Sequence, residues 1–313
     1  MDQAVAPPSD RLGRARFYGR AWYWAARPFT LGASVVPVLV GSVLALEDGR
    51  ASLPRFVLVL LGSLLVQIGT NLVDEYVDHR RTASQGKLLA PYKVIALGLL
   101  SERAVRNGTL LVFAIATIIG SALVALAGWP LLLVCLASLA AAYFYSAGPR
   151  PLGAVGLGEF TVGVFMGPVM VAATYFVHTG TVTREALLLS LPVACTVTAI
   201  LVANDLRDLE EDRSAGKVTP VTLWGRSLGR WLWLGLVVGA LVLDVTLAST
   251  GVITLVALIA IVAALRAATA ARLIYSGDSR PVLASGLRAT ASFHLWFGVL
   301  LSGGILLGWA VGV

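Results

Sequence analysis

Nearly half of the carboxylates in this chain are gathered in two places. Of its 17 Asp and Glu residues, Asp74, Glu75 and Asp78 follow one apolar run, and Asp205, Asp208, Glu210, Glu211 and Asp212 follow another. Each group is introduced by an asparagine, Asn71 in NLVDEYVD and Asn204 in NDLRDLEED. Residues four apart share a helix face, so Asn71, Asp74 or Glu75, and Asp78 form one ridge, while Asn204, Asp208 and Asp212 form a second. Like charges at this spacing repel, and near lipid they are costly without a positive partner. Arg207 and Arg213 fall between the acids rather than on the ridge, so divalent cations are the better counter-charge. Magnesium takes oxygen ligands and usually binds one or two carboxylates together with phosphate oxygens. Two facing ridges therefore suit a magnesium-bound diphosphate head group.

The lysines point the same way. The chain has only three, Lys87, Lys93 and Lys217, and all lie in the two acidic segments. A flexible ammonium suits a diphosphate that must be released, so Lys93 and Lys217 are the expected diphosphate-binding cations. The plainer readings are a solvated acidic loop and lysines that follow the positive-inside bias. The same asparagine-then-acid spacing in two separate segments favours chemistry over either.

The elements that must position these residues are membrane helices. Hydrophobic residues make up 58% of the 313 and charged residues only 13%, a balance foreign to soluble domains. A bilayer crossing needs about 20 apolar residues. Nine runs qualify, near 29–46, 54–74, 104–127, 129–146, 157–178, 185–204, 229–249, 251–271 and 290–312. The expected fold class is thus an all-α, polytopic membrane protein with nine transmembrane helices in the bilayer. With a cytoplasmic N-terminus, only Arg50, Arg55 and Arg184 of the 24 Lys and Arg residues lie outside, which is the positive-inside pattern. Both acidic groups then face the cytoplasm, since an even number of crossings separates them.

Residues 1–20 read as a disordered or interfacial lead, and 21–313 as one intramembrane domain without an internal linker. Three longer loops are expected, at 75–103, 205–228 and 272–289. The net charge of +7 is explained by topology, and no aromatic-interleaved basic patch remains for nucleic acid. Cys135 and Cys195 fall inside apolar runs and read as packing residues. Trp22, Trp24, Trp129, Trp224, Trp231 and Trp233 read as interface anchors. Asp244, in the middle of the seventh run, reads as a locally paired polar residue.

Four stretches carry a resemblance to a known family: RPFTLGASVVPVLVG, NLVDEYVDHRRTAS, YFYSAGPRPLGAVGLGEFTVGVFMGPV and NDLRDLEEDRSAGKVT. Together these resemble the UbiA superfamily of intramembrane aromatic prenyltransferases, and within it the 1,4-dihydroxy-2-naphthoate polyprenyltransferases of menaquinone synthesis. The resemblance implies a nine-helix bundle with a lipid-facing cleft. It also implies Mg2+ as cofactor, and transfer of a polyprenyl chain from its diphosphate to an aromatic acceptor at the cell membrane. Asn71, Asp78, Asn204, Asp208 and Asp212 match the family's motif positions, and Asp74, Glu75, Asp78, Asp208 and Asp212 are the implied metal ligands. Arg27 is implied as a further diphosphate contact, with Tyr145 and Glu159 lining the substrate cleft. Glu75 stands where the family more often has Asp, Asp74 where it often has Asn, and Thr82 and Ser84 depart from the usual Gly and acid.

Other acceptors fit the same residues: 4-hydroxybenzoate, homogentisate, haem or a sugar phosphate, as does terpene cyclisation. An ion-coupled transporter is the alternative from another class. It would place acids near the bilayer midplane, whereas both clusters here lie at the ends of spans.

Overall fold

The computed structural model describes residues 8, 10–82 and 93–312. Regular structure among them is helical, with one isolated bridge between Val155 and Val218. In chain order the helices are α1 (Arg11–Ala26), α2 (Gly32–Glu47), α3 (Leu53–Thr82), α4 (Glu102–Ala127), α5 (Pro130–Ser146) and α6 (Gly158–Thr179). They continue as α7 (Arg184–Ser214), α8 (Pro220–Ser249), α9 (Leu255–Tyr275) and α10 (Arg280–Val311).

Among the described residues, seven helices are long and apolar enough to cross a bilayer, or eight if the bent pair α1 and α2 makes one span. The chain is a multi-pass membrane protein. The count of nine expected from the apolar runs is not confirmed by helix length: α5 is apolar but 17 residues long, at the short limit for a crossing. The expected loops are also shorter than the sequence suggests. Helix α3 runs on to Thr82 and α7 to Ser214, so both acidic clusters ride on helical extensions of their spans. The third loop shrinks to four residues, 276–279, between α9 and α10. Ser84 and Lys87 lie outside the described residues, as do residues 1–7 and 9 of the expected N-terminal lead; from Arg11 that segment is helix.

Two breaks in the helices shape the interior. Pro28 has no N–H to extend α1 and disfavours right-handed helical backbone at the residue before it. Arg27 sits there at φ 51°, the one non-glycine residue with positive φ among the described residues, and the chain turns by 54° into α2. In α6, Pro168 falls within a π-helical turn over Phe165–Val169, a distortion that absorbs the missing N–H and recurs at functional sites.

The largest core packs α2, α7, α8, α9 and α10 around Trp233, Phe293 and Phe297. Trp233 is fully buried rather than at an interface as expected. Its indole N–H donates to Thr290 Oγ1 at 3.2 Å, which satisfies the ring's one polar atom. A second core joins α1 to α3 and α4 through Ala21, Ala25, Leu72, Val94, Ile95 and Val105. Asp244 is fully buried in α8, and neither of its carboxyl oxygens has a partner among the described residues; the local pairing expected for it is absent.

Candidate active site

Both ridges open into one cavity of about 1020 Å3, lined by Asn71, Asp74, Glu75 and Asp78 from α3 and by Asn204, Asp205, Asp208 and Asp212 from α7. From Asp78 the same cavity reaches Val59 on α3, and it is lined there by Leu123, Leu131 and Val177. At 1.5 Å per residue the stretch of α3 between Asp78 and Val59 spans about 28 Å, close to the thickness of a bilayer's hydrocarbon core. One end of the space is thus ionic and the other apolar.

Each ridge residue has a definite partner. Arg27 Nη1 lies 2.6 Å from Asp74 Oδ2, and Ser146 Oγ donates to Asp74 Oδ1 at 3.0 Å. Glu75 is almost fully buried and accepts from the Ile95 backbone N–H at 3.0 Å. Asp78 pairs with Lys93. Val94 and Ile95 are buried against α1 and α3, and this anchors the segment that returns Lys93 to the ridge.

On α7, Asp208 pairs with Arg207, whose Nη2 also donates to Asn204 Oδ1 at 2.8 Å. Asp212 Oδ1 lies 2.9 Å from Lys217 Nζ. The geometry of Lys217 is set by the end of its helix. Gly216 takes a left-handed φ of 68°, a conformation costly for residues with a Cβ. The Lys217 N–H then donates back to the Asp212 carbonyl at 2.9 Å, and the Val218 N–H to the Ala154 carbonyl at 2.9 Å.

The lysine charges tie the two ridges together. Burial pulls the Lys217 ammonium down, but Asp212 first and Asp78 on the opposite ridge outweigh it, so it titrates above the ordinary lysine value. Lys93 is likewise pulled down by burial and raised on balance, by Asp78 and Asp74. A lysine that feels carboxylates of both helices requires the ridges to converge.

The structure therefore gathers Arg27, Asn71, Asp74, Glu75, Asp78, Lys93, Tyr145, Asn204, Asp208, Asp212 and Lys217 around one space. Glu159 is not among the lining residues. It lies in the first turn of α6 against Asp205, and one of its carboxyl oxygens is buried without a hydrogen bond among the described residues.

Two arginines correct the sequence reading. Arg207 was expected to miss the ridge, yet its long side chain folds back on Asp208 and Asn204. Arg280, in a span with no motif, donates to Glu211 at 2.5 and 2.9 Å and to Asp208 at 3.3 Å. The one local signal for it is an Arg-Pro pair at 280–281, the same dipeptide that opens the first span at Arg27. Protein cations thus neutralise acids for which the sequence reading gave only metal as counter-charge.

The donors also suit magnesium. All are hard oxygens, and Glu75 Oε2 and Asp205 Oδ2 are buried with no hydrogen-bond partner among the described residues. No group of three or more His, Cys, Asp or Glu side chains there encloses an ion site alone. Magnesium does not need one, since it shares its coordination shell with water and substrate phosphate.

Residues 34–282 match the UbiA prenyltransferase family. The chain is 30% identical to the 1,4-dihydroxy-2-naphthoate octaprenyltransferase of Bacillus subtilis over 98% of this chain and 99% of that protein. It is 30% identical to the enzyme of the same name from Mycobacterium tuberculosis over 92% and 97% of the two chains. Among solved structures, a UbiA homolog from Archaeoglobus fulgidus bound to DMAPP and Mg2+ superposes with a TM-score of 0.57 at 16% identity, over 90% of this chain and 99% of that one. Another from Aeropyrum pernix gives 0.61 at 17% identity, over 89% and 97%. With the family match spanning most of its length and the ridges converging on one cavity, this chain belongs to the UbiA prenyltransferase family and is a membrane-embedded prenyltransferase.

Proposed function

We propose that the protein transfers a polyprenyl group from its diphosphate to 1,4-dihydroxy-2-naphthoate, a step of menaquinone synthesis, in a magnesium-dependent reaction on the cytoplasmic side of the cell membrane. The observation that carries this reading is a single cavity with two carboxylate ridges and their lysines at one end and an apolar wall about as long as a membrane leaflet pair at the other. A charged head and an isoprenoid tail each find suitable surroundings there. The curated relatives named above act, by their names, on this acceptor, and the acceptor assignment rests on them.

Asp74, Glu75 and Asp78 on α3, with Asp208 and Asp212 on α7, would hold magnesium, which supplies the positive charge against which a diphosphate departs. Lys93, Lys217 and Arg27 meet the remaining diphosphate oxygens. Charge placed in advance around a leaving group stabilises the transition state more than the ground state. The C–O bond of the allylic donor breaks, and the electron pair leaves with the diphosphate. An electron-rich ring carbon of the acceptor then forms the new C–C bond, and the acceptor's carboxyl group is lost as carbon dioxide. Asn71 and Asn204 hold the neighbouring arginines in place. The apolar walls exclude water that would quench the allylic cation, with Tyr145 facing the same space.

The test is a product assay on the full chain in lipid, with a polyprenyl diphosphate, magnesium, and either dihydroxynaphthoate or 4-hydroxybenzoate. Mass spectrometry should find demethylmenaquinol from the first acceptor, together with the demethylmenaquinone that dissolved oxygen forms from it by two-electron oxidation. Preferential prenylation of the benzoate would overturn the acceptor assignment while leaving the reaction class intact.

A further inference from the structure

We propose that Arg280 is a further diphosphate-binding residue, held by Asp208 and Glu211 until an anionic head group enters the cavity. This inference rests on the reading of the cavity as a prenyl diphosphate site. It adds a residue from beyond the second acidic motif, where the last three apolar runs carry no distinctive motif.

The position of Arg280 is built, not incidental. The turn that precedes it, 276–279, is clamped from α8. Arg230 Nη2 lies 2.7 Å from Asp278 Oδ1, and its guanidinium also donates to the carbonyls of Ile274 at 2.8 Å and Gly277 at 3.2 Å. Arg226 joins Asp278 to Glu210 on α7. With Pro281 fixing the second helical residue, Arg280 projects from a stiff corner into the cavity that Lys93, Lys217 and Arg27 also line.

Its bonding leaves it able to exchange partners. Asp208 is already served by Arg207 through Nε at 2.8 Å and through Nη2, and the Arg207 side chain is 7% exposed, a buried and fixed pairing. The contact from Arg280 to Asp208, at 3.3 Å, is the longer and redundant one. Arg280 and Glu211 are each 32% exposed, so separating them costs little desolvation compared with a fully buried pair. A guanidinium presents a planar fork that matches phosphate oxygens as well as it matches a carboxylate. With a diphosphate held against the ridge that bears Asp208, Arg280 would join Arg207 as a cation adjacent to the new charge.

The experiment measures binding of inorganic diphosphate, with magnesium, to the full chain in nanodiscs, comparing wild type with R280Q, R280K and E211Q. Thermal unfolding of each variant is followed in parallel. A diphosphate ligand predicts opposite signs. R280Q weakens binding by about tenfold or more, the scale of one charge-assisted hydrogen bond, R280K recovers part of the loss, and E211Q tightens binding by releasing the arginine. A merely structural ion pair predicts the same direction for R280Q and E211Q, with matching losses of thermal stability, and that result overturns the proposal. So does wild-type affinity in R280Q. If wild type itself fails to bind diphosphate, the reading of the whole cavity falls; if wild type binds and R280Q binds equally, only Arg280 is misassigned.

Discussion

Asn71 spends its amide on the chain break rather than on the cavity: Nδ2 donates to the Ala26 carbonyl at 2.8 Å and to Thr30 Oγ1 at 3.2 Å. The next residue along from Ala26 is Arg27, whose left-handed backbone aims its guanidinium at Asp74. Thr30 Oγ1 completes the clamp by donating to the Arg27 carbonyl at 2.8 Å. Strained backbone of this kind persists only where its surroundings over-determine it, and here a motif asparagine does so.

It follows that Asn71 acts through Arg27. Asn71→Asp removes the N–H donor and should lower kcat/KM by about tenfold or more, the scale of a lost buried hydrogen bond with its desolvation cost. In a double-mutant cycle with Arg27→Gln, the two losses should overlap by about 1 kcal/mol or more, as expected of residues in one network. Additive losses would show instead that Asn71 acts on its own.

The ridge carboxylates carry the next expectation. Asp78→Asn and Asp208→Asn should each lower turnover by about a hundredfold or more, as removal of charge-stabilising groups does elsewhere. Both proteins should still elute as folded species on gel filtration. Chelation of wild type should have the same effect and added magnesium should reverse it. Turnover near the wild-type rate in either variant contradicts the proposed role of the ridges.

The ridges were legible because their geometry is local. Helical spacing of three or four residues put Asn71, Asp74 or Glu75, and Asp78, and likewise Asn204, Asp208 and Asp212, on single faces without any knowledge of the tertiary fold. Arg280 was not legible because it lies 72 residues from Asp208, and nothing in its own span encodes that approach. Arg207 was misjudged for a different reason: helix-face arguments follow the Cβ direction, whereas a long flexible side chain reaches around it. Trp233 failed the interface rule because a partner hydroxyl on a distant helix, Thr290, let it be buried. The span count is left open at α5, an apolar helix of 17 residues at the short limit for a crossing.

Lysine charge gives a prediction with a defined pH window. The Lys217 ammonium titrates above its ordinary value in the folded protein. A lysine raised above its unfolded value, about 10.4, contributes stability that is complete below that pH and is lost as pH rises through the folded value. Lys217→Met should therefore lower the unfolding temperature equally at pH 6 and pH 9, in protein without ligand. The gap should close only in stronger alkali. A gap that already narrows between pH 6 and pH 9 would mean that the Asp212 and Asp78 carboxylates do not hold the charge as described.

Asp244 offers the opposite case, a buried acid with no evident task. It does not line the cavity, and neither carboxyl oxygen is paired among the described residues. Leaving a buried polar group unsatisfied costs about 1–3 kcal/mol, while the small void left by truncation to alanine costs under about 1 kcal/mol, and alanine is the better helix former. Asp244→Ala should therefore stabilise the protein by about 1–2 kcal/mol on this balance, with prenyl transfer unchanged. Equilibrium unfolding in mixed micelles measures the first and the product assay the second. A destabilised variant would reveal a partner for Asp244, and a stable but inactive one would bring α8 into the chemistry, where nothing in the present geometry puts it.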